Sequence, residues 1–76
     1  MISTTIVKEF AAQINAELHS AYLYLAMASW FESENWGGFA QWLKAQAKEE
    51  MGHAMKFYGF LNDRGAHVVF DAIKAP

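Results

Sequence analysis

The sequence predicts an all-α protein: an antiparallel two-helix hairpin that dimerises into a four-helix bundle. Three observations carry this. Apolar residues recur at i, i+4 and i+7 through two long segments, the spacing of one buried helix face. A single strong break, Asn35-Trp36-Gly37-Gly38, separates them. The chain has 76 residues, and 54% of them are hydrophobic and 16% aromatic, more than two packed helices can hide from water. Each helix of a hairpin buries one stripe against its partner, so the surplus points to a second chain.

The first helix is expected from about residue 5 to 32. Ser3, Thr4 and Thr5 offer alternative N-caps, and neither glycine nor proline follows until Gly37. Its stripe is Ile6, Phe10, Ile14, Glu17, Ala21, Tyr24, Ala28 and Phe31. Leu23, Met27 and Trp30 form a second apolar line with no use inside one hairpin, and are an expected intersubunit surface. The turn follows, with Asn35 as a possible N-cap for the second helix. That helix is expected over about 36–64. Gly65 stands where a left-handed terminating residue is wanted, and Arg64 is set favourably against the helix dipole. The second stripe is Phe39, Leu43, Gln46, Glu50, His53, Phe57 and Phe60. Residues 66–76 read as an extended tail, too short for a third helix and expected to pack along a neighbouring chain. The whole chain, 1–76, is one domain.

Charge and composition exclude several functions. Eight acids and six bases give a net charge of −2, so no basic stripe is present to replace the counterions of nucleic acid. No apolar run reaches the roughly 18 residues of a membrane span, and no basic patch with an apolar stretch opens the chain as a signal peptide would. Without cysteine there are neither disulfides nor thiolate metal sites, and a reducing cytoplasm is the expected location.

The chemistry lies in the polar residues embedded in the two stripes. Glu50 and His53 are three residues apart, which turns them to the same side of a helix. Asn35 lies eighteen residues from both Glu17 and His53, so a hairpin closing there brings all three to one level. An isolated buried carboxylate is costly and takes up a proton, pairs with a base, or binds a cation. Neither stripe contains lysine. Carboxylate with imidazole suits iron, manganese or zinc, and a carboxylate-rich set suits iron or manganese best. Two carboxylates and one imidazole are too few for two metal ions. Two antiparallel copies about a two-fold axis supply four carboxylates and two imidazoles, the inventory of di-iron helix bundles.

The runs Glu17-Leu18-His19-Ser20-Ala21-Tyr22-Leu23-Tyr24-Leu25 and Glu49-Glu50-Met51-Gly52-His53-Ala54 closely resemble helices A and B of bacterial non-haem ferritins. The likeness continues through Phe57 and Tyr58 to Arg64 and Gly65, and the tail to Pro76 resembles the start of the connection after helix B. The chain thus looks like the N-terminal half of a ferritin. The resemblance implies ferroxidase chemistry: Fe(II) oxidised by O2 at a di-iron centre feeding a ferric mineral. It implies Glu17, Glu50 and His53 as ligands of the first iron, Tyr24 as the tyrosine beside the centre, and Glu49 as ligand to a further iron. Met51 stands where bacterioferritins bind haem, but packing is the expected role and haem is not expected as a cofactor. Two other readings fit the same residues: a ferritin piece that folds only with its missing half, and an assembly that holds metal for stability alone.

Overall fold

The computed structural model describes residues 2–76. Two helices make up the fold, α1 over Thr4–Ser33 and α2 over Gly37–Asp63, packed antiparallel into a hairpin 51 Å long. Ser3 caps α1, its hydroxyl accepting a hydrogen bond from the Ile6 amide at 3.2 Å. Both helices end in the same way, for the same reason. Asn35 closes α1 at φ 63°, with the Trp36 amide donating to the Phe31 carbonyl at 2.8 Å; Gly65 closes α2 at φ 73°, with the Ala66 amide donating to the Leu61 carbonyl at 3.0 Å. In each case one left-handed residue lets the chain turn back on the last helical carbonyls. Asn35 is therefore the terminator of α1, correcting the expectation that it caps α2. The residue before α2 is Trp36, which makes no side-chain cap bond.

The contact between the helices repeats every seven residues. In α1 the buried positions are Ile14, Ala21 and Ala28; in α2 they are Ala40, Ala47, Ala54 and Leu61, with Leu43. Residues three places on line the same seam: Phe10, Glu17, Tyr24 and Phe31 in α1, and Glu50 and Phe57 in α2. This is the spacing of a left-handed coiled-coil pair. Small alanines at the seam let the backbones approach closely, and aromatic rings cover its edges. The stripe expected for α2 thus shifts by one position: Ala40, Ala47 and Ala54 go to the centre, while Phe39 and His53 turn outward.

One end of the seam holds Ile14, Ala54, Leu61 and Val68, flanked by Phe10, Phe57 and Phe60; the other holds Ala28, Ala40 and Leu43 with Tyr24 and Phe31. Residues 66–76 carry no regular secondary structure, and part of the segment packs on its own hairpin. Val68 enters the core, Phe70 stacks on Tyr58 with ring centres 6.2 Å apart, and Ile73 reaches the groove lined by Leu18, Leu25 and Met51. The apolar surplus remains on the surface. Trp30, Trp36, Phe39 and Trp42 are each 55–59% exposed, and Leu23 and Met27 are exposed as well.

Candidate metal centre

Halfway along the seam the apolar sequence is interrupted on both helices at once. Glu17 takes the seam position that Phe10, Tyr24 and Phe31 fill elsewhere in α1, and Glu50 takes the one filled by Leu43 and Phe57 in α2. His53 lies one turn beyond Glu50. The helices bring the three together: one ligand atom from each lies within 4.8 Å of the others. His53 Nδ1 stands 3.5 Å from Glu17 Oε2 and 3.9 Å from Glu50 Oε1. Ligands bound to one ion at about 2.1 Å can be at most about 4.2 Å apart, so both pairs already stand within ligand spacing.

The site lies at the open edge of the seam and not in a sealed core. The side chains of Glu17, Glu50 and His53 are 13%, 22% and 46% exposed, and no charged residue is fully buried among the described residues. The expectation that the acids are sunk among apolar groups therefore needs correction: one side of each faces outward, towards whatever covers the hairpin.

Gln13 orients Glu17 from one turn away, its amide nitrogen donating to Oε1 at 3.0 Å. The other oxygen, Oε2, is out of contact with water and accepts no hydrogen bond from an amide, amine or hydroxyl. Buried polar atoms left so are rare, and this one is aimed at the site. Hydrogen bonding with Glu17 pushes the Glu50 carboxyl above its usual range, and desolvation and the charge of Glu17 add to the effect. The same bond holds Glu17 below the usual range against desolvation, with Gln13 and His53 assisting. Two carboxylates facing one another repel, and a cation between them relieves that repulsion.

Two further residues singled out in the sequence lie apart from this triad. Tyr24 is half-buried two turns from Glu17, packed with Phe31 against Ala28, Ala40 and Leu43. Glu49 is exposed and belongs to no ligand cluster. Gln13 was not singled out, although its place four residues before Glu17 on the same helix is the spacing at which a side-chain amide reaches a carboxylate.

An all-helical hairpin with facing glutamates and a Glu-x-x-His pair at mid-height has the side-chain arrangement of the carboxylate-and-imidazole helix bundles. The comparisons with known proteins agree. Residues 7–76 match the ferritin-like domain, and the chain belongs to that family. It is 43% identical over 76 residues to the bacterial non-heme ferritin of Staphylococcus epidermidis and 42% identical to that of Staphylococcus aureus, covering all of this chain and 46% of each relative. A closed-form engineered ferritin of Archaeoglobus fulgidus superposes with a TM-score of 0.95 at 46% identity, again over 100% of this chain and 46% of the other. The ferritin of Chlorobium tepidum gives 0.94 at 33% identity, over 100% and 47%. The chain thus spans about half the length of the relatives it matches. No helix among the described residues is long and apolar enough to cross a membrane.

Proposed function

We propose that this chain binds Fe(II) at Glu17, Glu50 and His53, and that two protomers together form a di-iron carboxylate centre that oxidises Fe(II) with O2 for iron storage or detoxification. The observation that carries the reading is Glu17 Oε2, left without a hydrogen-bond partner while Gln13 holds Oε1, and standing 3.5 Å from His53 Nδ1. Membership of the ferritin-like family makes iron the natural ion for that donor set.

Each residue has a part. Glu17 and Glu50 offset the charge of the incoming ions. His53, nearly half exposed, offers Nδ1 and fixes one coordination direction. Iron is the substrate: two Fe(II) would give up one electron each, and O2 would take both with two protons to leave as hydrogen peroxide. Tyr24 is proposed to hydrogen-bond a ligand carboxylate or to supply an electron, and Glu49 to hold a further ion on the exposed side of α2. Haem has no part in this scheme, and a reducing cytoplasm suits a ferrous substrate.

The test is a ferrous titration under argon followed by oxygen. The wild-type chain should saturate near one ion per protomer and then consume oxygen. Glu50→Ala should keep the oligomer in light scattering and lose oxidation. Binding without any oxygen uptake would leave a structural metal site, and no binding at all would overturn the reading.

A further inference from the structure

The edge of the seam that carries the triad is built from rungs, one residue from each helix. The seven-residue register sets Gln13 opposite His53 on the side of the carboxylates nearer the termini, and Ser20 opposite Gln46 on the side nearer the turn. One rung further out the same register sets Ile6 opposite Phe60, and those two do line one hollow. Glu17 and Glu50 are thus bracketed along this edge by two polar rungs.

The two carboxylates are held differently. Each has a glutamine four residues before it on its own helix, the spacing at which a side-chain amide reaches a carboxylate. Gln13 uses that reach, donating to Glu17 Oε1 at 3.0 Å and leaving Oε2 for the site. Gln46, half-buried at the equivalent position of α2, makes no side-chain hydrogen bond among the described residues. Glu50 is instead turned across the seam, with Oε1 standing 3.9 Å from His53 Nδ1. The other residues of α2 one turn from Glu50 are Ala47, Ala54 and His53, so Gln46 is the one donor on that helix able to hold Glu50 without itself being a ligand.

We propose that Gln46 is a positioning residue for Glu50 in the metal-bound state: once a divalent cation lies between the carboxylates and draws Glu50 Oε1, the Gln46 side-chain amide donates to Oε2. This deepens the reading of the triad as a metal site and rests on it. A ligating carboxylate whose second oxygen is unheld still turns about its last bond, and hydrogen bonds from neighbouring groups are what fix such ligands. The site is therefore half set before the ion arrives and completed by it. Gln13 presets Glu17, the ion recruits Gln46, and Glu50 is the ligand that moves.

The glutamine amides report this directly by NMR of the chain with isotope-labelled glutamine. Zn(II), which is diamagnetic and has no redox chemistry, should shift the Gln46 side-chain amide and slow its hydrogen exchange, while the Gln13 amide, bonded in both states, changes less. Gln46→Met keeps the length and the helix and removes the donor. Its urea unfolding without metal should match that of the wild type, its Co(II) affinity should fall about tenfold, and the d–d spectrum of bound Co(II) should change. Gln46→Asn keeps the amide on a stem one methylene shorter, and should lose affinity as far. A Gln46 amide unmoved by saturating Zn(II) overturns the proposal and leaves the metal site standing, as does a Gln46→Met chain whose Co(II) affinity and spectrum are those of the wild type. A wild-type chain that takes up neither ion overturns the metal site, and this proposal with it.

Discussion

Replacing Gln13 by leucine tests whether the site is held in readiness or assembled by the ion. The glutamine amide holds Glu17 Oε1 at 3.0 Å and thereby fixes the direction of Oε2. A hydrogen bond to a charged acceptor contributes about 1.5–3 kcal/mol, and removing a group that orients a metal ligand costs about 10- to 100-fold in affinity, which is the same range. Gln13 is exposed, so solvent can partly replace it and the lower end applies: about tenfold weaker Co(II) or Mn(II) binding by anaerobic calorimetry. Leucine is a good helix former, so thermal stability should remain within about 0.5 kcal/mol. The d–d spectrum of bound Co(II) should also change, because the freed carboxylate can rotate. Gln13→Glu should be worse than leucine, since it sets a second negative charge against Glu17 where a donor is required. Unchanged affinity and an unchanged Co(II) spectrum in Gln13→Leu would refute the claim that this hydrogen bond positions the ligand.

The other predictions concern protonation, core and backbone. Because Glu17 raises the Glu50 pKa in the metal-free protein, protons compete with the ion for the pair: affinity should be complete well above that raised pKa and be lost as the pH falls through it. Calorimetry in two buffers of different ionisation enthalpy should show proton release on binding that vanishes in Glu50→Gln. Leu61→Ala removes a side chain that is 0% exposed and should cost about 2–5 kcal/mol, measured by urea unfolding of the metal-free protein. Gly65→Ala forces a Cβ into φ 73°, where nothing crowds it within 4 Å, so the cost is backbone strain alone, about 1 kcal/mol in the same assay.

Much of this molecule is legible in its amino acids, and the parts that are not share a cause. The two helices and their turn follow from periodicity, Ser3 and the glycines, and the meeting of the three site residues follows from the equal distances of Glu17 and His53 to the turn, with Glu50 one helical turn from His53. The orientation of α2 does not. A reading by hydrophobic weight puts Phe39 and Phe60 on the stripe, whereas close helix packing selects Ala40, Ala47 and Ala54 for being small. Asn35 misleads because the same side chain suits an N-cap and a left-handed terminator, and only the backbone decides between them. The contacts of the tail have no local pattern, since Val68, Phe70 and Ile73 find their partners on the hairpin through tertiary contact. Gln13 is a polar residue on a polar edge, and its place at the site is visible only from the hydrogen bond it makes to Glu17.

That one hairpin carries half of an iron centre is tested most directly by native mass spectrometry of the chain with and without Fe(II) under argon. The account predicts a dimer in both conditions, gaining the mass of two iron ions when ferrous iron is supplied. A folded monomer that gains no iron would contradict it.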